Sequence, residues 1–205
     1  MDSTEVRHQW ETRSGEYSPE YYAHYGPDET SEAVCDTLGR CIDRDGSILE
    51  LGCSSGRHLS YLREQGFEDL TGVELNGDAF DVMAEVYPDL AASGTFYHDA
   101  IEDVVRGFDD DRFDAVYSVE TLQHIHPDAD WVFEELVRIT DGLLITVENE
   151  NEGKLTGGSD GDVNYVTDDV PLYYRDWNRV FTELGLTEIE ATVGKRDTMR
   201  AFRST

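Results

Sequence analysis

Lysine is almost missing from this chain: Lys154 and Lys195 are the only two in 205 residues. Arginine raises the basic total to just 16, against 45 Asp and Glu, for a formal net charge of −29. A surface of that sign repels phosphate backbones and anionic bilayers, so neither free nucleic acid nor a membrane is an expected partner. Long hydrophobic runs are missing as well. No stretch approaches the ~20 apolar residues of a spanning helix, and the first residues are charged where a secretory signal would be apolar. Cysteine is scarce, with Cys35, Cys41 and Cys53 forming no Cys-x-x-Cys pair. That pattern excludes a disulfide scaffold and points to a reducing, cytoplasmic setting. His124 and His126 could form a metal pair, but no further ligand lies at a tight spacing, so no metal is expected.

What is present is acid in every segment, without a tail that collects it. Together with the shortage of lysine, this resembles the proteins of halophiles. The length suits one domain over residues 1–205. Residues 1–28 hold Trp10, Tyr17, Tyr21, Tyr22 and Tyr25 without clean periodicity, and read as a lid or a tail. Helical spacing then predicts helices from Glu29 to about Ile42, from near Gly56 to Gln65, over Ala79–Val86 ended by Pro88, from Pro127 to Ile139, and over Trp177–Leu184. Strands are predicted at Ile48–Leu51, Asp69–Leu75, Gly94–His98, Phe113–Ser118, Leu143–Val147, Thr187–Val193 and Thr198–Phe202. The glycine-rich acidic stretch 149–170 reads as a long loop. Alternation of strand and helix predicts an α/β, Rossmann-like doubly wound sheet, mostly parallel. The two last strands, with no helix between them, predict an antiparallel C-terminal edge strand.

The most informative stretch is Ile48-Leu49-Glu50-Leu51-Gly52-Cys53-Ser54-Ser55-Gly56-Arg57-His58-Leu59. A buried strand ends at Glu50-Leu51, five small residues turn the chain, and a helix follows. Such a unit brings a ligand against bare backbone and a helix N-terminus. Gly52 and Gly56 supply conformational freedom and close packing. Glu-x-Gly-x-(Gly/Ser)-x-Gly after a first strand resembles motif I of the class I S-adenosylmethionine (SAM)-dependent methyltransferases, with Ser54 where the middle glycine falls. The resemblance covers residues 48–147 well and the ends in outline, and the late antiparallel pair also belongs to that family.

The resemblance implies S-adenosyl-L-methionine as cofactor, with Glu50, Gly52, Cys53 and Gly56 among the residues that bind it. Glu74 closes the second strand about 20 residues past the glycine turn, where a carboxylate can accept from both ribose hydroxyls. Leu75 and Asn76 follow, where the family packs a side chain on the adenine face. Asp99 ends the third strand and matches the acid that accepts from the adenine amino group, with Ala100 and Ile101 at the ring edge. Asp99 would also suit a helix N-cap, with Glu102 three residues on. Ser118, at the end of the fourth strand, would meet the methionine part. His124 matches a frequent family histidine, either bonding and packing within the fold or acting as a general base. Cys53 has no His or Asn partner pattern, so its role in the turn is structural.

The expected function is methyl transfer to a small-molecule acceptor by in-line displacement, for which a base is needed only if the acceptor is protonated. An NAD-dependent oxidoreductase would share the glycine turn and ribose acid, but Gly52-Cys-Ser-Ser-Gly56 lacks the Gly-x-Gly-x-x-Gly spacing. A non-catalytic SAM-binding protein remains the other alternative. Nothing in the sequence sets the oligomeric state.

Overall fold

The computed structural model describes residues 1–150, 163–167 and 170–204. Residues 1–28, aperiodic in sequence, form two short helices. Helix α1 (Ser3–Glu11) starts at a capping box: Asp2 accepts from the Glu5 amide, and Glu5 accepts from the Asp2 amide. Helix α2 (Pro19–Tyr25) follows the Ser18 cap, with Pro19 at its first position. Helix α3 (Glu29–Cys41) is capped by Asp28 and buries Val34 and Leu38.

The αβ repeat then runs β1 (Ile48–Leu51), α4 (Arg57–Glu64), β2 (Leu70–Glu74), α5 (Asp78–Val86), α6 (Pro88–Ser93), β3 (Thr95–His98) and α7 (Ile101–Val104). It continues with β4 (Phe113–Val119), 3-10 turns at Leu122–His124 and Pro127–Ala129, α8 (Trp131–Ile139) and β5 (Thr140–Glu148). Pro88 does end α5, and it also opens α6, since a proline at the first helical position has no amide hydrogen bond to lose.

The stretch read as a 149–170 loop is in part a strand. Residues 163–167 form β6 (Val163–Thr167), which pairs antiparallel with β7 (Val170–Tyr173) in a separate two-stranded sheet. The remainder of that stretch, 151–162 and 168–169, lies outside the described residues. Helix α9 (Trp177–Glu183) leads to β8 (Thr187–Val193) and β9 (Thr198–Arg203).

The main sheet has the order β3-β2-β1-β4-β5-β9-β8. Strands β3 to β5 are parallel, while β9 runs antiparallel to both β5 and β8 and sits one place in from the edge. The seven strands and their antiparallel C-terminal pair match the expected fold class. Strand β1 is buried on both faces: Leu49 and Leu51 pack toward α8 and α9, while Ile48 packs toward α3, α4 and α5. That is why its sequence is an apolar run without alternation. On the first face Trp177 is fully buried and stands edge-on to Phe133, with ring centroids 5.3 Å apart. Truncating Trp177 to alanine would cost about 3–5 kcal/mol. Reversal of strand order at β1/β4 opens the crevice at the carboxyl ends of the strands, where such sheets bind ligands.

Candidate functional site

The glycine turn is folded against the end of β2. Gly52 and Cys53 donate their amides to the Val73 carbonyl at 2.8 and 3.0 Å, and Gly56 donates to Cys53 at 2.9 Å. Gly52 has φ +68°, and a Cβ there would fall 2.3 Å from Thr121 Oγ1. The missing side chain is therefore what lets the segment after β4 close onto the turn. Gly56, at φ +83°, packs on Leu90 and Met83. Ser54 takes φ +48°, so the left-handed backbone that glycine would favour is adopted here by serine. Its amide donates to Glu74 Oε2 at 2.8 Å, a bond that offsets part of the strain.

Glu74 is poised by two backbone amides, that of Ser54 on Oε2 and that of Asn76 on Oε1 at 2.7 Å. Burial pushes its carboxyl above the usual range, opposed by those amides. The carboxyl group lines the cleft. Glu50, deep in β1, is only 1% exposed and lies beside the buried Tyr117 hydroxyl. Desolvation raises it to about 8, so it is largely protonated at neutral pH. Cys53 is buried and its thiol is pushed well up by desolvation, the opposite of an activated nucleophile.

Glu50, Gly52, Cys53, Glu74, Leu75, Asn76, Asp99, Ala100, Ile101 and His124 all line one cleft of about 1110 Å³, its open mouth included. Two expected residues are elsewhere. Gly56 lies behind the turn, among α5 and α6 side chains. Ser118 is buried, and its hydroxyl donates to Glu148 Oε1 at 2.5 Å, so Val119, Glu120 and Thr121 line the cleft from this strand instead. Asp99 does not cap a helix: its Oδ1 accepts from the Ala100 amide at 2.8 Å, and α7 has Ala100 at its cap. Glu102 bonds Arg7 rather than completing a capping box. Asn76 spends its amide group on the Arg13 carbonyl, at 3.0 Å.

His124 is buried. Its Nδ1 lies 2.9 Å from the Pro171 carbonyl, which places the ring proton there. Desolvation lowers its pKa to about 4, so the ring is neutral at pH 7.

Sequence reasoning missed how far the N-terminal segment enters the site. Val6, Arg7, Trp10, Arg13, Tyr17 and Tyr22 all line the cleft. Trp10 packs on His124 with centroids 4.6 Å apart, and Arg7 pairs with Glu102 and Asp103 at 3.1 and 2.8 Å. Arg57 pairs with Asp28 at 2.8 Å and lies over Tyr22. Arg13 Nε reaches the Glu16 carbonyl, and among the described residues its guanidinium has no carboxylate partner. The capping box Asp2-x-x-Glu5 and the Val6/Trp10 spacing were the available signals for α1.

The comparisons agree with this architecture. Residues 48–141 match the family model described as "Methyltransferase domain". No curated protein matches the chain. Among solved structures it is similar to a magnesium protoporphyrin IX methyltransferase from Synechocystis with bound S-adenosylhomocysteine (SAH). That likeness has TM-score 0.70 and 15% identity, covering 100% of both chains. It is also similar to the Burkholderia thailandensis 1,6-didemethyltoxoflavin-N1-methyltransferase, at TM-score 0.65 and 18% identity, covering 86% of this chain and 77% of that one. A third is the geranyl diphosphate C-methyltransferase of Streptomyces coelicolor, at TM-score 0.66 and 14% identity, with 86% and 77% covered. At such identities these likenesses speak for the fold. Residues 48–141 are thus similar to a methyltransferase domain, and the chain has the fold of the class I SAM-dependent methyltransferases, a class whose cofactor is S-adenosyl-L-methionine.

Proposed function

We propose that the protein transfers a methyl group from S-adenosyl-L-methionine to a small-molecule acceptor by in-line displacement. The observation that carries this reading is Glu74, a carboxylate held by backbone amides beside a glycine turn and lining the cleft. When bound, the cofactor supplies a methyl already activated on a sulfonium. Glu74 would accept from the ribose hydroxyls and Asp99 from the adenine amino group, with Ala100 and Ile101 at the ring edge. Glu50 would face the cationic methionine half, and Arg13 and Arg57 would take its carboxylate. The residues fit such a group: the carboxyl groups of Glu50 and Glu74 line the cleft on either side of the glycine turn.

The acceptor's lone pair forms the new bond to the methyl carbon as the carbon–sulfur bond breaks, and the electron pair of that bond stays on sulfur. The chain's task is to orient and to exclude water. A roof made of α1 and α2 favours a small acceptor over a protein or nucleic-acid one, and neighbours of this fold are methyltransferases of 1,6-didemethyltoxoflavin and geranyl diphosphate. His124, neutral and engaged with Pro171, would shape the acceptor side, and a weak base of this kind suits an acceptor that needs little help losing a proton.

Calorimetry with SAM, SAH and NAD tests the cofactor. Methyl-labelled SAM offered with phenols, heteroaromatic amines, carboxylates and thiols tests transfer. Tighter binding of NAD than of SAM would overturn the reading. SAM binding without transfer to any class would favour a non-catalytic SAM-binding protein.

A further inference from the structure

The segment Thr121–Ile125 forms one wall of the cleft. It brings Thr121 against Gly52 and His124 against Trp10, yet it is only a 3-10 turn with short flanks. Two buried polar side chains hold it. On the amide side, Glu148 from the end of β5 accepts from Thr121, Leu122 and Gln123 at 3.3, 3.1 and 3.2 Å, besides Ser118. On the carbonyl side, Arg175 donates to Leu122 at 3.4 Å, to Ile125 at 2.7 Å and to the Asp130 carboxylate at 2.8 Å. Two further bonds come from the same stretches of chain. Asn149 donates its amide to Gln123 Oε1 at 2.8 Å, and Pro171 accepts from His124 Nδ1.

Glu148 is 0% exposed and Arg175 is 7% exposed. Burying a carboxylate and a guanidinium is costly, and apolar packing would close a loop at least as well. What apolar packing cannot do is fix which way each peptide group of the turn points. A carboxylate on three amides and a guanidinium on two carbonyls do fix it.

We propose that Glu148 and Arg175 are positioning residues for methyl transfer. Holding the turn from its two polar ends, they set Thr121 against the glycine turn and keep the His124 proton on Nδ1. The link to methyl transfer rests on the function proposed above. Neither residue lines the cleft, so each acts through the turn.

Glu148→Gln and Arg175→Lys keep size while removing part of each hydrogen-bond set. Three readouts are taken on the full chain: SAH affinity by calorimetry, the His124 ring nitrogens by NMR, and the melting temperature. Arg138→Lys serves as control, because Arg138 holds an ion-pair cluster away from the cleft with Glu135 and Asp110. Both clamp variants should fold, bind SAH about tenfold more weakly, and show the His124 ring leaving the pure Nδ1–H pattern. The control should keep both affinity and ring signals.

Unchanged affinity and ring signals in a folded clamp variant overturn the proposal. So does an affinity loss that the control matches at equal loss of melting temperature. If Glu148→Gln fails to fold, Arg175→Lys carries the same comparison alone. A parent that does not bind SAH overturns the functional reading instead, and the ring signals then decide the positioning by themselves.

Discussion

Replacing Glu74 by alanine should damage cofactor binding and stability together, and the structure lets the two be separated. Each carboxylate oxygen already holds an amide, Ser54 on one and Asn76 on the other. A ribose would add one hydroxyl to each oxygen. A charge-assisted bond is worth about 1.5–3 kcal/mol, so losing both should cost about 3 kcal/mol or more, about a hundredfold in affinity. Two amides are also left without their acceptor, which should lower stability by about 2 kcal/mol. Glu74→Gln separates the effects, because its oxygen keeps one amide and its shape fills the space, while the charge is lost. Calorimetry with SAH and thermal melting on both variants measure the two quantities. A folded Glu74→Ala that binds SAH as tightly as the parent would refute the assignment, since nothing else at the end of β2 can take a diol in this way.

Further outcomes follow from other parts of the molecule. With 45 acids against 16 bases, the melting temperature should rise between dilute buffer and molar potassium chloride, where the Debye length shrinks to about 3 Å; a flat response would show that the charges are spaced too widely to repel. Amide exchange in α1 and α2 should slow when SAH is added, because Arg7, Trp10 and Arg13 already line the cleft; equal exchange with and without ligand would make the segment a fixed wall rather than a closing one. His124→Ala should cost turnover less than the 10²–10⁴ of a lost general base, because a ring lowered to about 4 is a weak base; a larger loss at unchanged SAH affinity would restore the base role.

The fold was legible because its signals are local and redundant. Strand β1 shows as an apolar run, the glycine turn as a cluster of small residues, and α5 as Ala79, Val82, Met83 and Val86 at helical spacing. The places of Glu74 and Asp99 in the cleft were legible for a similar reason, since they fall at the ends of strands whose order the motif already implies. Other features depend on contacts between distant parts of the chain. Ser118 was placed at the cofactor from its position at a strand end, but its hydroxyl turns to Glu148, 30 residues away. Glu148 and Arg175 look like ordinary surface charges in an acidic sequence, and only the fold buries them. Helices α1 and α2 are too short and too polar for periodicity to reveal them. They hold their shape through caps at Asp2 and Ser18 and through docking on the cleft.

A site assembled from buried ionisable groups should leave its mark on stability as a function of pH. Burial raises Glu50 to about 8 and Glu148 to about 7, and it lowers His58 to about 3 and His124 to about 4. For the carboxyls the folded state holds a proton that the unfolded chain releases near pH 4.5. Their contribution is thus complete below that pH and is lost as pH rises through 7 and 8. For the histidines the unfolded chain takes a proton near 6.5 that the folded state refuses. Their contribution is complete above that pH and is lost as pH falls through 4 and 3. Between about pH 4.5 and 6.5 the two slopes oppose each other and nearly cancel. Above 6.5 only the carboxyls remain, and each costs up to about 1.4 kcal/mol per pH unit until its own folded pKa is passed. At fixed molar salt, the melting temperature should therefore fall between pH 6.5 and 8, and Glu50→Gln should flatten the upper part of that fall. Cations of the cofactor's methionine half would favour ionised Glu50, so SAM binding at pH 7 should release a proton, read as a buffer-dependent calorimetric enthalpy. A parent whose stability is level from pH 6.5 to 8, with no proton released on binding, would mean that Glu50 is already ionised before any cation reaches it.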